Sequence, residues 1–481
     1  MATLAAALLL AVAAWSGAAA GLPPGAWTSA QEMPGSIGLN FGTAALGDPS
    51  APSVNSIACP SAGNCSAGGE YVDRAGRGQA LVVNEVGGRW QRAIEVPGSA
   101  ALDLGGHAEI NSVACASAGN CSAGGDYTTR AHQQEALVVT EVGGSWQGAI
   151  EVPATGALNR KGDASVVSVS CRSPGNCSAG GYYSDRAGFQ AFVVNEVAGT
   201  WGAAVEVPGL GPHNVGGNAQ VRSVSCGAPG NCSAGGYYAP GRNAFGAFVV
   251  NETGGTWGQA EAVPNSARLD SGRTGGLEAV SCSAAGECGA VGDYLTVVKH
   301  RSYEQPFVVS EKGGVWGLAE PLRVPYRLTA AGQVDATALS CASPGNCSLG
   351  GSYWDKAGGW LLFVASEANG VWRAAAEIPG TAGLNAGANG QVNSISCGAG
   401  GYCAAVGFVT TARRAQQAFV VLQSAGAWHG AQILPNSERL NTGDTAEVGA
   451  VSCTPSGFCG AGGDYTLRSG SRQLLVDNFI P

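Results

Sequence analysis

Apolar and polar positions alternate along this chain in short runs, each bounded by Gly, Pro, Asn or Ser. That is the signature of half-buried strands separated by turns. Beyond residue 20 no stretch keeps a 3.6-residue apolar period, so helix is not expected in the mature chain. One stretch shows the unit. Ser168 to Cys171 forms a first strand, a, and Cys177 to Tyr183 a second, b. After a polar loop comes Ala191 to Glu196, strand c, then a Gly turn and Trp201 to Pro208, strand d. Four short strands in sequence make one antiparallel meander.

The unit recurs, and the cysteines mark it. All sixteen fall in Cys-x5-Cys pairs: Cys59 with Cys65, Cys115 with Cys121, Cys171 with Cys177, Cys226 with Cys232, Cys282 with Cys288, Cys341 with Cys347, Cys397 with Cys403 and Cys453 with Cys459. Successive pairs begin 55 to 59 residues apart, five of the seven intervals being 56. Eight four-stranded units of this size predict an all-β fold, a single eight-bladed β-propeller. Eight separate domains of that length would each lack a core. The chain ends agree. Trp27 to Pro34 already reads as a strand d, whereas the last unit supplies a (Gly449–Cys453), b (Cys459–Tyr465) and c (Gln473–Val476) and then stops. The N-terminal strand is therefore expected to complete the last blade, which closes the ring and removes both open edges.

Composition sharpens this picture. Among 481 residues there are 77 Gly, and only 12% are charged. The net charge is −9, and the pI is near 5.1. A 45% hydrophobic share excludes a disordered chain, and the negative charge argues against a nucleic-acid partner. Residues 1–20 are uncharged after the start and end in Ala18, Ala19 and Ala20, as a signal peptide does. They lack the usual basic start, and an N-terminal anchor is the alternative. The propeller then spans 21–481, with no membrane span in the mature chain. The expected location is secreted or on the cell envelope.

An even set of in-register cysteines in an exported chain reads as one disulfide per blade. A metal role is not expected, because the spacing is wrong for zinc and none of the five His recurs. No cofactor is expected either. The Trp that opens strand d in all eight copies reads as a packing wedge between sheets. Glu85, Glu141, Glu196, Glu252, Glu311 and Glu367, closing strand c in six copies, read as structural hydrogen-bond acceptors. Gly pairs such as Gly68-Gly69 and Gly180-Gly181 fit a bulge or a close neighbour.

The Gly-Gly ending of strand b, the apolar strand c, and the Trp with a Pro seven residues later resemble kelch-type and galactose-oxidase-like propellers. The Ser-Val-Ser-Cys…Cys-Ser-Ala-Gly-Gly hairpin is similar to a group of secreted, chiefly actinobacterial repeat proteins that is largely uncharacterised. This resemblance covers about residues 27–480 and implies the fold. It transfers no catalytic residue, since the Tyr and His pairing of galactose oxidase is missing, as is the sialidase Asp box.

Strand direction places the d–a crossovers and b–c loops on one face, here the top. Variation between copies gathers there. Four residues before the first Cys, and two residues earlier still, the copies carry unlike polar groups above a uniform scaffold. Those groups include Asn55, Glu109, Asn111, Gln220, Arg222, Glu278, Asp335, Thr337, Gln391, Asn393 and Glu447. The longest b–c loop adds Lys299, His300 and Arg301. Together they form the expected ligand-binding mouth. The basic tips Arg74, Arg130, Arg186, Arg242, Lys356, Arg413 and Arg468 share their loops with acids and read as solvated.

The expected function is an exported, non-catalytic binding module for a glycan, peptide or cell-surface partner, acting as a monomer. One alternative is an extracellular polysaccharide hydrolase or lyase with carboxylates at the mouth, for which Glu278 and Asp335, on adjacent blades, are the first pair to test. The other is a structural envelope protein.

Overall fold

The computed structural model describes residues 25–41, 51–298, 300–325, 328, 332–398 and 401–481. The 1–20 segment lies outside these residues, as does Lys299. The described chain forms eight antiparallel sheets, each in the order a-b-c-d. In the third blade, a is Ser165–Ser173, b is Asn176–Asp185 and c is Gly188–Val197. Strand d is split into Thr200–Trp201 and Val205–Glu206, both paired with c. The eighth sheet takes its strand d from the other end of the chain: Ala26–Trp27 and Gln31–Glu32 pair with Arg472–Ile480. Strands a of successive blades pack on one another all the way round, blade 8 against blade 1 included. The protein is therefore an eight-bladed propeller, closed by its N-terminal strand.

The recurrent Ser-x-Ser-Cys of strand a has a physical reason. Strand a is an inner edge, and its outward N–H groups have no strand to pair with. The preceding blade supplies hydroxyls instead. Ser56 Oγ accepts from Val113 N at 2.9 Å, Ser168 Oγ from Val224 N at 2.9 Å, and Ser223 Oγ from Val280 N at 3.0 Å. One step down, Ser170 Oγ accepts from Cys226 N at 3.0 Å, and Ser452 Oγ accepts from Cys59 N at 2.9 Å across the closing junction. Serine hydroxyls thus stitch blade to blade around the axis.

Gly-Gly answers two neighbours at once. A Cβ on Gly69 would stand 1.9 Å from Ser53 O of its own strand a, and one on Gly68 would stand 2.6 Å from Ile110 Cγ2 of the next blade. Beside this pair the register slips by one residue: Val54 faces Gly69 and Ser56 faces Gly68, leaving Asn55 as a β-bulge. The same slip leaves Asn111, Arg222, Glu278, Thr337 and Asn393 unpaired in their blades.

Near the bottom face a buried polar triad recurs at the junctions between blades. Asn195 Nδ2 donates to Glu252 Oε1 at 2.6 Å, Ser178 Oγ donates to Glu252 Oε2 at 3.0 Å, and Trp257 Nε1 donates to Asn195 Oδ1 at 2.8 Å. Glu196 accepts likewise from Ser122 and Thr140, and Trp201 Nε1 donates to Thr140 at 3.1 Å. The recurrent Trp and Glu are therefore wedge and acceptor between blades, and burial raises the Glu141, Glu252 and Glu311 carboxyls above their usual range.

All eight Cys-x5-Cys pairs are disulfides, with Cα atoms 3.9–4.1 Å apart, and no cysteine is free. The second cysteine of each pair lies on strand b, between its own strands a and c. Cys65, Cys121, Cys177, Cys232, Cys288, Cys347, Cys403 and Cys459 are accordingly all buried. These sulfurs pack among the blades, whereas their partners Cys115, Cys171, Cys341, Cys397 and Cys453 are only half-buried, and each disulfide staples its own a–b hairpin. The turn they close is held by its Asn: Asn176 Nδ2 donates to Ser173 Oγ and Pro174 O, both at 3.1 Å.

Helix does occur, against expectation. Six described crossovers from d to a carry a single α-turn, as at Ser99–Leu102, Thr155–Leu158 and Ser437–Leu440, and the one after Trp201 carries a 3-10 turn, Gly211–His213. Four residues are too few to show a helical period in sequence. The turn ends on an Asn or Asp that latches the crossover to its neighbours. Asn159 Nδ2 donates to Gln134 O at 2.9 Å, and its Oδ1 accepts from Asp163 N at 2.8 Å and Ser184 N at 3.2 Å.

Candidate functional site

The top end of the axis is built from three positions per blade. One is the strand a residue paired with the first residue after Gly-Gly, as in Ser53↔Glu70, Glu109↔Asp126, Gln220↔Tyr237, Gly276↔Asp293 and Glu447↔Asp464. The second is that strand b partner. The third is the bulge residue, which a bulge re-aims off the regular strand face. This explains why variation concentrates four residues before the first Cys: that position takes no part in the ladder.

Some bulge residues serve the seam. Asn55 Nδ2 donates to Ile110 O at 3.0 Å, Asn111 Nδ2 to Val166 O at 3.1 Å, Thr337 Oγ1 to Val392 O at 3.0 Å and Asn393 Nδ2 to Val448 O at 3.1 Å. Arg222 and Glu278 face each other instead, at 3.4 Å, and the Arg222 guanidinium lies 5.6 Å from the centre of the Tyr237 ring. Tyr237 Oη donates to Gln220 Oε1 at 3.1 Å. Gln391 is exposed.

Acidic groups dominate two sectors. At blades 5 and 6, Glu304 hydrogen-bonds to Asp335. Burial first, and then the Glu304 and Glu278 charges, push Asp335 up to about 7. Burial also raises Asp293 to about 8, helped by Glu278, Glu304 and Asp335. Asp335 thus feels the Glu278 charge, but Asp335 is bonded to Glu304 and Glu278 is paired with Arg222. Glu304 escaped the sequence reading because its position depends on the lengthened hairpin of blade 5. Strand b there runs Glu287–Val298 and c runs Arg301–Lys312, and Glu304 bridges to Gln333, two residues before Asp335. The three extra residues extend strands rather than a loop. They leave His300 at the turn with φ 62° and Arg301 exposed.

At blades 1 to 3, His107 stands between carboxylates. Its Nδ1 is 3.4 Å from Glu70 Oε1 and its Nε2 is 3.9 Å from Asp126 Oδ1. The Glu70 hydrogen bond, with the charges of Glu70, Asp126 and Glu109, raises His107 to about 9. Burial and the Asp126 and Glu70 charges raise Glu109 to about 7. A solitary His on a crossover carries no repeat signal, which is why sequence reading missed it. In blade 8 the equivalent acids, Glu447 and Asp464, are bridged by Arg472, whose Nη2 lies 2.8 Å from Glu447 Oε1.

Aromatic pairs lie on blades 3, 4 and 6. Tyr182 packs edge-on to Phe189 at 5.6 Å, Tyr237 to Phe245 at 5.6 Å and Trp354 to Trp360 at 5.3 Å. None of the six rings is fully buried. A cleft of about 350 Å³, lined by Phe245, Tyr238, Arg273 and Asp293 among others, opens beside the second pair. The basic loop tips Arg74, Arg130, Arg186, Arg242, Lys356, Arg413 and Arg468 are exposed.

No protein-family model matches the chain, and no curated protein matches it. Solved structures align with the chain at low identity. A protein of unknown function from Dyadobacter fermentans is 9% identical, with TM-score 0.42 over 95% of this chain and 99% of that one. Sqt1 of Chaetomium thermophilum is 11% identical, with TM-score 0.49 over 88% and 95%. A polysaccharide lyase of family PL25, an ulvan lyase, is 11% identical, with TM-score 0.40 over 80% and 95%. Among the described residues no helix is long and apolar enough to cross a membrane.

Proposed function

We propose that the protein is an exported binding module that takes up a glycan at the top end of the ring. The observation that carries this reading is the row of part-exposed aromatic pairs on blades 3 and 4 beside the Arg222–Glu278 pair. Sugar rings present a C–H face that packs on an aromatic ring and hydroxyls that bond to planar charged groups, and this surface offers both. The eight disulfides fit an oxidising, extracellular setting. The acid-rich rim repels uronates, sulfated sugars and nucleic acid, so a neutral or amino-sugar glycan is the class that fits. A screen of neutral, amino and acidic glycans tests this. Binding by neutral or amino members, lost in a double variant, Tyr182→Ala with Tyr237→Ala, that keeps its melting temperature, supports the reading. Binding unchanged in that variant, or confined to acidic glycans, overturns it.

A second reading has its own observation. A carboxyl bonded to a carboxyl must hold a proton, and Asp335, near 7, is poised to give or take one. Hydrolysis or lyase cleavage of a bound polysaccharide would use Asp335 and Glu304, with Glu278 nearby. Turnover that survives both Asp335→Asn and Glu304→Gln removes this reading and leaves the binding module untouched.

A further inference from the structure

The cross-strand acid pair of blade 8 occurs again in blade 2, with one difference. Glu447↔Asp464 and Glu109↔Asp126 occupy the same register, one pair with a cation and one without a comparable side chain. In blade 8 the first residue of strand c is Arg472, which bridges both acids. In blade 2 that residue is Gln134. Blade 2 thus holds the acids of blade 8 without the guanidinium.

The other groups there are arranged as a metal centre arranges them. The Nε2 or Nδ1 of His107 and one oxygen each of Glu109 and Asp126 lie within 4.8 Å of one another. His107 Nε2 and Asp126 Oδ1 are 3.9 Å apart, inside the roughly 4.2 Å that two donors at ~2.1 Å from one ion can span. Asp126 is 1% exposed, and its Oδ1 has no hydrogen-bond partner. Its Oδ2 is held by Ser165 Oγ at 2.7 Å and Asn111 Nδ2 at 3.4 Å, so Oδ1 is turned to His107. On the far side of the imidazole, Nδ1 faces Glu70, the carboxylate–histidine arrangement that frees Nε2 as a ligand. Space is made for it too. Strand c of blade 1 begins with Gly78, where a Cβ would stand 1.9 Å from Glu70 Oε1 and 2.8 Å from His107 Nδ1.

We propose that His107 Nε2, Asp126 Oδ1 and the Glu109 carboxylate bind one divalent cation of the zinc or manganese class, with Glu70 positioning His107. One nitrogen and two carboxylates suit those ions better than calcium, and three protein ligands leave positions open for water or a ligand hydroxyl. The site does not depend on the glycan reading. The other grouping of this type among the described residues, Cys282, Cys288 and Glu311, is a disulfide beside a seam acceptor and has no thiolate to offer.

Titration calorimetry of the chelator-stripped, tag-free protein with zinc chloride and manganese chloride tests the proposal. The expected result is one ion per chain at micromolar affinity or tighter. Binding should weaken at least 100-fold in His107→Ala and in Asp126→Asn, and stay unchanged in the exposed Glu320→Gln. Gln134→Arg copies blade 8 and should abolish uptake while keeping the fold, so the question is answered even where His107→Ala does not fold. No uptake by the intact protein, or uptake that Gln134→Arg leaves unchanged, overturns the proposal.

Discussion

Phe479 packs 5.7 Å from Trp27, ring centre to ring centre, at the junction of blades 7 and 8. By register it stands where six other blades have their buried Glu, since Glu85 pairs with Trp90 as Phe479 pairs with Trp27. Its neighbours change with it. The Ser and Asn that would bond that acid are here Ala404 and Leu422, both packed in the same core. This junction has exchanged a polar triad for an apolar one. Phe479→Glu alone should destabilise the protein by about 3–5 kcal/mol, because the carboxylate finds no donor. Adding Leu422→Asn and Ala404→Ser should recover at least half of that, measured by urea denaturation as a mutant cycle.

The converse change at an intact junction has a smaller effect. Glu196→Ala leaves the Ser122 and Thr140 hydroxyls without their acceptor. A loss of about 1–3 kcal/mol is expected in the same denaturation assay.

Two glycines separate close approach from mere frequency. Gly125 has Glu109 O at 1.9 Å from where a Cβ would stand, whereas Gly148 has nothing within 4 Å. Gly125→Ala should cost about 3 kcal/mol or abolish soluble protein, and Gly148→Ala should stay within about 0.5 kcal/mol.

The protein should be more stable in mild acid than in mild base. Asp293 and Asp335 have folded-state values of about 8 and 7, above the ordinary 3.8. Between those limits the folded chain holds protons that the unfolded chain releases, so stability falls as pH rises from about 4 to 8. Melting temperature followed by circular dichroism should decline from about pH 5 to about pH 8.5. The decline should flatten when Asp293→Asn and Asp335→Asn are combined. A melting temperature that rises over that interval in the parent protein contradicts the assignment.

The denatured, unreduced protein should show no titratable thiol. Prior reduction should release sixteen per chain and lower the melting temperature, each short loop contributing roughly 2–2.5 kcal/mol by the loop-entropy relation.

Much of the architecture was legible because it is written eight times. The Cys pairs, the strand d Trp and the strand c Glu each recur at one register, and strand order follows from them. The reason for Ser-x-Ser-Cys was hidden, since the partner of Ser168 is the N–H of Val224, a residue of the next blade. The bulge was hidden too: Asn55 reads as an ordinary strand residue until Gly69 forces the slip. Contrast between copies singled out Glu109, Glu278, Asp335 and Glu447 as unlike polar positions on strand a. The same contrast could not reach His107, which stands before strand a, or Glu304, whose place depends on a hairpin found in one blade. Groups that act once leave no period.

The strand that carries Trp27 precedes strand a of blade 1 in the chain, yet the side chain that holds it lies on strand c of blade 8. Thr28 Oγ1 donates to Asp477 Oδ1 across a sequence separation of 449. Each disulfide spans a separation of 6, so every hairpin can lock as it emerges. The ring cannot. It gains its final junction only once strand c of blade 8 is made, and until then the first and last blades each present a bare flank. A chain that lacks strand c of blade 8 therefore has a row of individually locked hairpins with no circle.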